Sequence, residues 1–266
     1  MVVCNALLQQ KSIFNLSGTQ YMLVLSLKRD IERRKKICEQ IDSLGKKFEF
    51  FDAYTPSSIP QEVLRNSNKE LTDGEKACAY SHLMIYEKLL KSENKYEVIL
   101  EDDALLEQSF LDYFNKVSRL HDIYDVVIFG YSKVDVELAK IMKFVRPSIK
   151  LKVDDFYIRL PYRQWHCGTV GYSISRSGAN KILEINRSLE VPADYWEYFE
   201  DHGVSVVHYS DILVTEDFIN FKSHLEGQRG TFNNPNIFLR LLAGILRHFV
   251  LPFRIYSWNK KFKIKH

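Results

Sequence analysis

At 266 residues, with 45% hydrophobic residues and a formal net charge of +3, the chain can bury the core of one large or two small domains, and its charge balance does not point to nucleic acid. Its four cysteines, Cys4, Cys38, Cys78 and Cys167, lie far apart and form no Cys-x-x-Cys pair, so spacing indicates neither a zinc knuckle nor a redox motif, and reduced, mostly buried thiols are expected. No stretch has the apolar length of a bilayer span, and residues 1–19 lack a basic start and an apolar core, so they read as an extension packed loosely on the domain with no export role.

In chain order, residues 21–27 read as a first strand, followed by the turn Lys28-Arg29-Asp30. Ile31, Ile37, Cys38, Ile41 and Leu44 fall near helical spacing, and Gly45 suits the helix end. A second strand over 47–53 completes a βαβ start, which predicts parallel pairing. Residues 56–69 are polar and read as a loop or short helix. Thr72 with Glu75 matches a capping box opening a helix that runs to about residue 91. Strand 96–100, helix 110–120 and a buried strand over 124–130 follow, then a loop with a helical piece to 149. Strands over 156–160 and 168–174, a helix over 177–185 and a strand over 204–209 complete the pattern. This alternation predicts an α/β fold with helices layered on a central, mostly parallel sheet.

The carboxylates Glu101-Asp102-Asp103 come directly after the apolar run Val98-Ile99-Leu100. In open α/β sheets, ligands bind outside the carboxyl ends of the strands. Three adjacent like charges there favour a cation, and hard oxygen ligands suit Mg²⁺ or Mn²⁺, which in turn suit a diphosphate. A solvated surface turn is the alternative for such a cluster.

The C-terminal part has a different character. No acidic residue follows Glu226, while Arg229, Arg240, Arg247, Arg254, Lys260, Lys261, Lys263 and Lys265 do. Arg240, Arg247 and Arg254 recur on one side of a helix otherwise rich in Leu, Ile and Phe, and Pro252 is expected to end or kink it. Such a helix suits an anionic membrane surface, and it equally suits packing on the rest of the protein or a dimer contact.

Several blocks resemble glycosyltransferase family 25, the bacterial lipooligosaccharide glycosyltransferases. They are Val24-Leu25-Ser26-Leu27 with Arg29, Arg33 and Arg34; Phe48-Glu49-Phe50-Phe51-Asp52-Ala53; Leu71 to His82 leading into Ile99-Leu100-Glu101-Asp102-Asp103; and Gly168 to Gly178 followed by Pro192-Ala193-Asp194. They span about residues 20–225, although the chain begins nearly twenty residues before the family's usual first strand. The resemblance implies a GT-A-type nucleotide-sugar fold, expected as a catalytic domain over 20–232 between the extension 1–19 and the basic amphipathic tail over 233–266. It also implies an inverting mechanism, with UDP-galactose as the most frequent donor and a lipooligosaccharide sugar as acceptor. The expected place is the cytoplasm, at the inner-membrane face. UDP-glucose or another donor, or a non-catalytic carbohydrate- or nucleotide-binding relative, are the alternatives.

The same resemblance assigns roles. Asp103 is expected to bind Mn²⁺ or Mg²⁺, and Glu101 to face the ribose or the ion. Asp102 is expected to point away if strand alternation persists. Ser26, Leu27 and Arg29 would border the uridine and diphosphate, with Arg29 preferred over Arg33, Arg34, Lys35 and Lys36, which read as a solvated helix face. Asp52 is placed at uracil or ribose, or in a loop cap. Lys76 at a helix start, with Ser81 and His82 further along, can meet the diphosphate or donor sugar. Asp194 is the expected base for the acceptor hydroxyl, with a helix N-cap as its structural alternative and Asp154 and Asp155 as runners-up. Trp165, Tyr195 and Trp196 offer faces for a sugar or for the core. His224 is a candidate third metal contact or an ordinary surface residue.

Overall fold

The structure, a computed structural model, describes residues 22–132, 146–217 and 237–263. The N-terminal extension, most of the loop placed before residue 149, and His224 lie outside the described residues. Strand β1 (Met22–Ser26), helix α1 (Ile31–Ser43) and strand β2 (Phe48–Asp52) form the expected βαβ start, with β1 parallel to β2. Two short helical pieces, a 3-10 turn (Pro56–Ser58) and α2 (Gln61–Asn66), precede α3 (Asp73–Lys91). The capping box forms as the sequence predicts. Glu75 N donates to Thr72 Oγ1 at 3.2 Å, and Thr72 N donates to Glu75 Oε2 at 3.0 Å.

The main sheet also contains β3 (Tyr96–Glu101), β5 (Val126–Ile128), β7 (Ser148–Val153), β8 (Phe156–Pro161), β9 (Gly171–Ser175) and β10 (Val206–Tyr209). Its order is β2-β1-β3-β9-β5-β10-β8-β7. Strands β2, β1, β3, β5, β10 and β7 run one way, with β9 and β8 against them. The inner strands are continuously apolar because both faces are covered. Met22, Val24, Val98 and Leu100 pack on one side with Ile37, Cys38 and Ile41 of α1. Leu23, Leu25 and Ile99 pack on the other with Leu83, Tyr86 and Leu89 of α3. Helices α4 (Phe110–Lys116), α5 (Arg176–Asn186) and α6 (Trp196–Asp201) complete these layers.

A second, three-stranded sheet, β4-β11-β6, is built from pieces too short for periodicity to reveal: β4 (Ala104–Leu106), β6 (Gly130–Tyr131) and β11 (Val214–Glu216). It sets β11 beside the chain that leaves the acidic triplet, with Glu216 opposite Ala104. Asp154 and Asp155 form the two-residue turn of the β7–β8 hairpin, with Asp154 at φ 49°, which accounts for them without a catalytic role.

Helix α7 (Ile237–Phe262) runs through Pro252, which does not end it. Its last turns are part of the core. Trp258 is fully buried, and its Nε1 donates to Glu200 Oε2 at 3.2 Å. Arg254 Nη2 donates to Glu200 Oε1 at 2.5 Å. The helix leaves Leu246, Phe249, Val250, Phe253 and Tyr256 exposed on its outer side.

Candidate functional site

Parallel pairing sets Leu25 of β1 beside Glu101 of β3, so the two strands end together and their next residues, Ser26 and Asp102, meet. Ser26 Oγ donates to Asp102 Oδ2 at 2.6 Å. The antiparallel neighbour β9 starts from the same end of the sheet, with Glu101 N donating to Val170 O at 3.1 Å and Thr169 Oγ1 in contact with Glu101 Oε1. The acidic triplet therefore lies at the carboxyl end of β1 and β3, where a crevice is expected in this architecture.

Glu101 ends the strand, and Asp102 and Asp103 occupy the turn after it. Strand alternation does not extend into that turn, so Asp102 does not point away from Asp103. Arg33 Nη1 bridges them, 3.1 Å from Asp102 Oδ1 and 2.9 Å from Asp103 Oδ2. Arg34 donates to Ser26 Oγ (3.1 Å), to Ser26 O (3.0 Å) and to Asp52 Oδ1 (2.5 Å). Arg33 and Arg34 are thus buried site residues, and the solvated-face expectation fails for both. Arg29 precedes α1 and shares no helix face with Arg33. Its side chain is exposed, 4.0 Å from Asp30. Leu27 contributes a turn carbonyl to Asp30 N at 2.9 Å. The signal for Arg33 and Arg34 was their position one helical turn before the buried Ile37 and Cys38.

Burial first, then the charges of Glu101 and Glu216, push the Asp103 carboxyl up to about 8, with the Arg33 guanidinium opposing. Burial also raises Asp102, against the Ser26 hydrogen bond and Arg33. Asp103 Oδ1 is buried without a hydrogen-bond partner. An orphaned carboxylate oxygen among further carboxylates is donor chemistry that fits a hard divalent cation. Asp217, the residue after β11, closes the cluster. Its N–H donates to Asp103 O at 2.8 Å, and its carboxylate pairs with Lys36.

From α3, His82 Nε2 lies 3.7 Å from Glu101 Oε1, and its Nδ1 is 2.8 Å from Tyr172 Oη. Ser81 instead ties the chain after β2 to the helix, accepting from Tyr54 N at 2.9 Å and donating to Ala77 O at 2.7 Å. Lys76 is buried on the same helix. Arg176 donates to the carbonyls of Leu89, Leu90 and Ser92 at 2.7–2.8 Å and so caps the C-terminus of α3.

Asp194 is buried just before α6, one residue ahead of the helix N-cap Tyr195. Its Oδ1 is 3.4 Å from His166 Nδ1, at the long end of hydrogen-bond reach. The segment 166–169 thus touches Asp194 through His166 and Glu101 through Thr169. Trp196 is core, its Nε1 donating to Gly168 O at 3.2 Å. Trp165 stacks on His208, while Tyr195 lies half-buried against His166. Gly171 and Gly178 answer to packing. A Cβ would lie 2.8 Å from the Phe129 ring at the first and 2.8 Å from Asp125 O at the second.

Residues 19–196 match the family described as glycosyltransferase family 25 (LPS biosynthesis protein). The chain is 28% identical to the lacto-N-neotetraose biosynthesis glycosyltransferase LgtE of Neisseria gonorrhoeae, over 73% of each chain. It is also 28% identical to the lipooligosaccharide biosynthesis protein lex-1 of Haemophilus influenzae, over 65% of each. Among solved structures, a glycosyltransferase involved in the glycosylation of the major capsid of PBCV-1 aligns over 87% of this chain and all of its own, at 12% identity and a TM-score of 0.37.

Proposed function

Because the chain belongs to glycosyltransferase family 25, we propose that it moves a hexose from a UDP-sugar, UDP-galactose in the first instance, to an acceptor sugar of lipooligosaccharide, with inversion at the transferred carbon. The observation that carries this reading is the cluster of Ser26, Arg33, Arg34, Asp52, Glu101, Asp102 and Asp103 at the joint carboxyl ends of β1 and β3. It combines anion-binding guanidinium groups with a carboxylate oxygen left for a cation. Asp103 would hold Mn²⁺ or Mg²⁺ with help from Glu101, and the ion would stabilise charge on the departing diphosphate. Arg33 keeps the carboxylates in register through its two hydrogen bonds, and Ser26 orients Asp102. Asp52, held by Arg34 at the exposed rim, is suited to accept from uracil or ribose. Asp194 accepts the acceptor hydroxyl's proton, with His166 beside it to orient the carboxylate. In this reading the nucleotide binds beside Arg33 and Arg34 of α1 and the acceptor beside the segment 166–169.

A donor screen tests the reading, by measuring UDP release from several nucleotide sugars with and without an acceptor oligosaccharide and with Mn²⁺ or chelator. Acceptor-stimulated release from UDP-galactose is expected. Preference for UDP-glucose would change the sugar and keep the reaction, whereas UDP binding without release from any donor would mark a non-catalytic relative.

For the acceptor's location, we propose that the outer side of α7 rests on an anionic membrane at the cytoplasmic face. Leu246, Phe249, Val250, Phe253 and Tyr256 recur at helical spacing and are exposed. The sequence around them, from Gly227 onward, carries basic residues and no acidic ones. Apolar side chains flanked by cations complement anionic headgroups over an acyl layer. No helix among the described residues is long and apolar enough to cross a membrane.

A further inference from the structure

Cys78, His82 and Glu101 bring a thiol sulfur, an imidazole nitrogen and a carboxylate oxygen within 4.8 Å of one another. Cys78 and His82 are four residues apart on α3, and so share a face, while Glu101 ends β3. Paired ligands at this spacing on a helix can meet one ion. His82 Nε2 is buried without a hydrogen-bond partner, in a residue only 1% exposed. At 3.7 Å from Glu101 Oε1 it is too distant for a hydrogen bond. Two ligands held tetrahedrally at about 2.0 Å from a common ion sit roughly 3.3 Å apart, close to the separation seen here.

The other ring nitrogen is already engaged. Nδ1 lies 2.8 Å from Tyr172 Oη, which lies 2.7 Å from Tyr86 Oη. With Nδ1–H donating to Tyr172, the lone pair rests on Nε2 and the ring is fixed toward Glu101, as a hydrogen bond at the far ring nitrogen orients a ligating imidazole.

We infer that Cys78 Sγ, His82 Nε2 and the Glu101 carboxylate form a site for a thiophilic divalent ion of the zinc class, with a fourth position open to water. The sulfur and imidazole donors distinguish it from the all-oxygen setting of Asp103, which suits Mg²⁺ or Mn²⁺. On binding, the thiol proton passes to solvent and a metal–sulfur bond forms, with no change of oxidation state. The ion would pin α3 to the end of β3 and fix the Glu101 carboxylate. The inference does not rest on the transfer reaction, and its test reads metal binding alone.

The full chain, purified without a polyhistidine tag and stripped by chelator, is titrated with Co²⁺ and then Zn²⁺. One equivalent of Co²⁺ is expected to give a thiolate-to-metal charge-transfer band that Zn²⁺ removes. Cys78→Ser should lose the band, while Asp103→Asn and Cys38→Ser keep it, and His82→Gln should weaken Zn²⁺ binding by at least about 10-fold. If Cys78→Ser does not fold, the wild-type chain decides: Zn²⁺ should protect Cys78 from alkylation by iodoacetamide, read by peptide mass. Absence of the band in the wild type, its survival in a folded Cys78→Ser, or alkylation of Cys78 undiminished by saturating Zn²⁺ would each overturn the site.

Discussion

Arg33 Nη1 donates to Asp103 Oδ2 at 2.9 Å, while Oδ1 of the same carboxylate is buried with no hydrogen-bond partner. One oxygen is engaged by the protein and the other is not, which is the arrangement the proposed cation requires. Asp103→Ala is therefore expected to abolish Mn²⁺-dependent UDP binding and transfer while leaving the fold intact, because it also removes a carboxylate repelled by Glu101 and Glu216. Calorimetric titration of UDP with and without Mn²⁺, beside a transfer assay, is the check. Turnover near the wild-type value would end the metal assignment.

The converse change at Arg33 should be costly. Arg33→Met strips the shared partner from Asp102 and Asp103, both buried. Breaking such a pair typically costs about 3–5 kcal/mol. Denaturant unfolding should show a loss of this size, partly restored by millimolar Mn²⁺, which can replace the missing positive charge. A loss that Mn²⁺ leaves untouched would mean that the carboxylates are not open to an ion.

The parts of this site that could be read from the chain share a physical origin. Continuous apolar runs such as Val98-Ile99-Leu100 announce a strand covered on both faces, and the acids that follow then lie at a sheet end. The Thr72–Glu75 box announced the start of α3 by local chemistry alone. Arg33 and Arg34 were hidden because charge in a helix usually means solvent, and only their tertiary partners override it. Glu216 and Asp217 were hidden because β11 is a strand of three residues whose place depends on pairing with β4. Trp258 was hidden because a basic, Pro-containing terminal helix looks detachable, and nothing local reports that Glu200 waits for it.

At Asp194, replacement by Asn should preserve donor binding and lower transfer by about 10²–10⁴-fold, since an amide cannot take up the acceptor proton. Asn matches Asp in size and keeps an accepting Oδ1, so thermal stability should change little. The measurement is kcat for transfer beside UDP affinity. Equal losses in both would assign Asp194 to the architecture of the segment 166–169.

Glu97 offers a pH signature away from the site. It is buried in β3, and burial pushes its carboxyl up to about 8 against the charge of Lys88 and a hydrogen bond from Asn94. The folded state holds the proton more tightly than the unfolded chain does. Its stabilising contribution is therefore complete below the ordinary carboxylate pKa and is lost as pH rises toward 8. Glu97→Gln should remove this dependence, so the stability difference between variant and wild type should change by about 1.4 kcal/mol per pH unit between pH 5 and 8, in the variant's favour as pH rises. Parallel stability curves for the two proteins would show that Glu97 ionises normally in the fold.

Helix α7 has two sides with opposite predicted behaviour. Trp258 is fully buried beside Tyr124 and bonded to Glu200, so Trp258→Ala should cost about 3–5 kcal/mol, and deleting residues after 232 would remove core along with any membrane contact. Phe249 and Phe253 are 73% and 76% exposed, and replacing both by Asp should leave stability within about 0.5 kcal/mol per site. Those two substitutions place anions in the exposed apolar stripe, where an anionic surface would repel them. Co-sedimentation with vesicles containing phosphatidylglycerol should fall sharply in the double variant, and wild-type binding should weaken as salt rises. Transfer to a soluble acceptor sugar should persist, because neither side chain touches the acidic cluster. If the double variant sediments like the wild type, the outer side of α7 does not face the membrane.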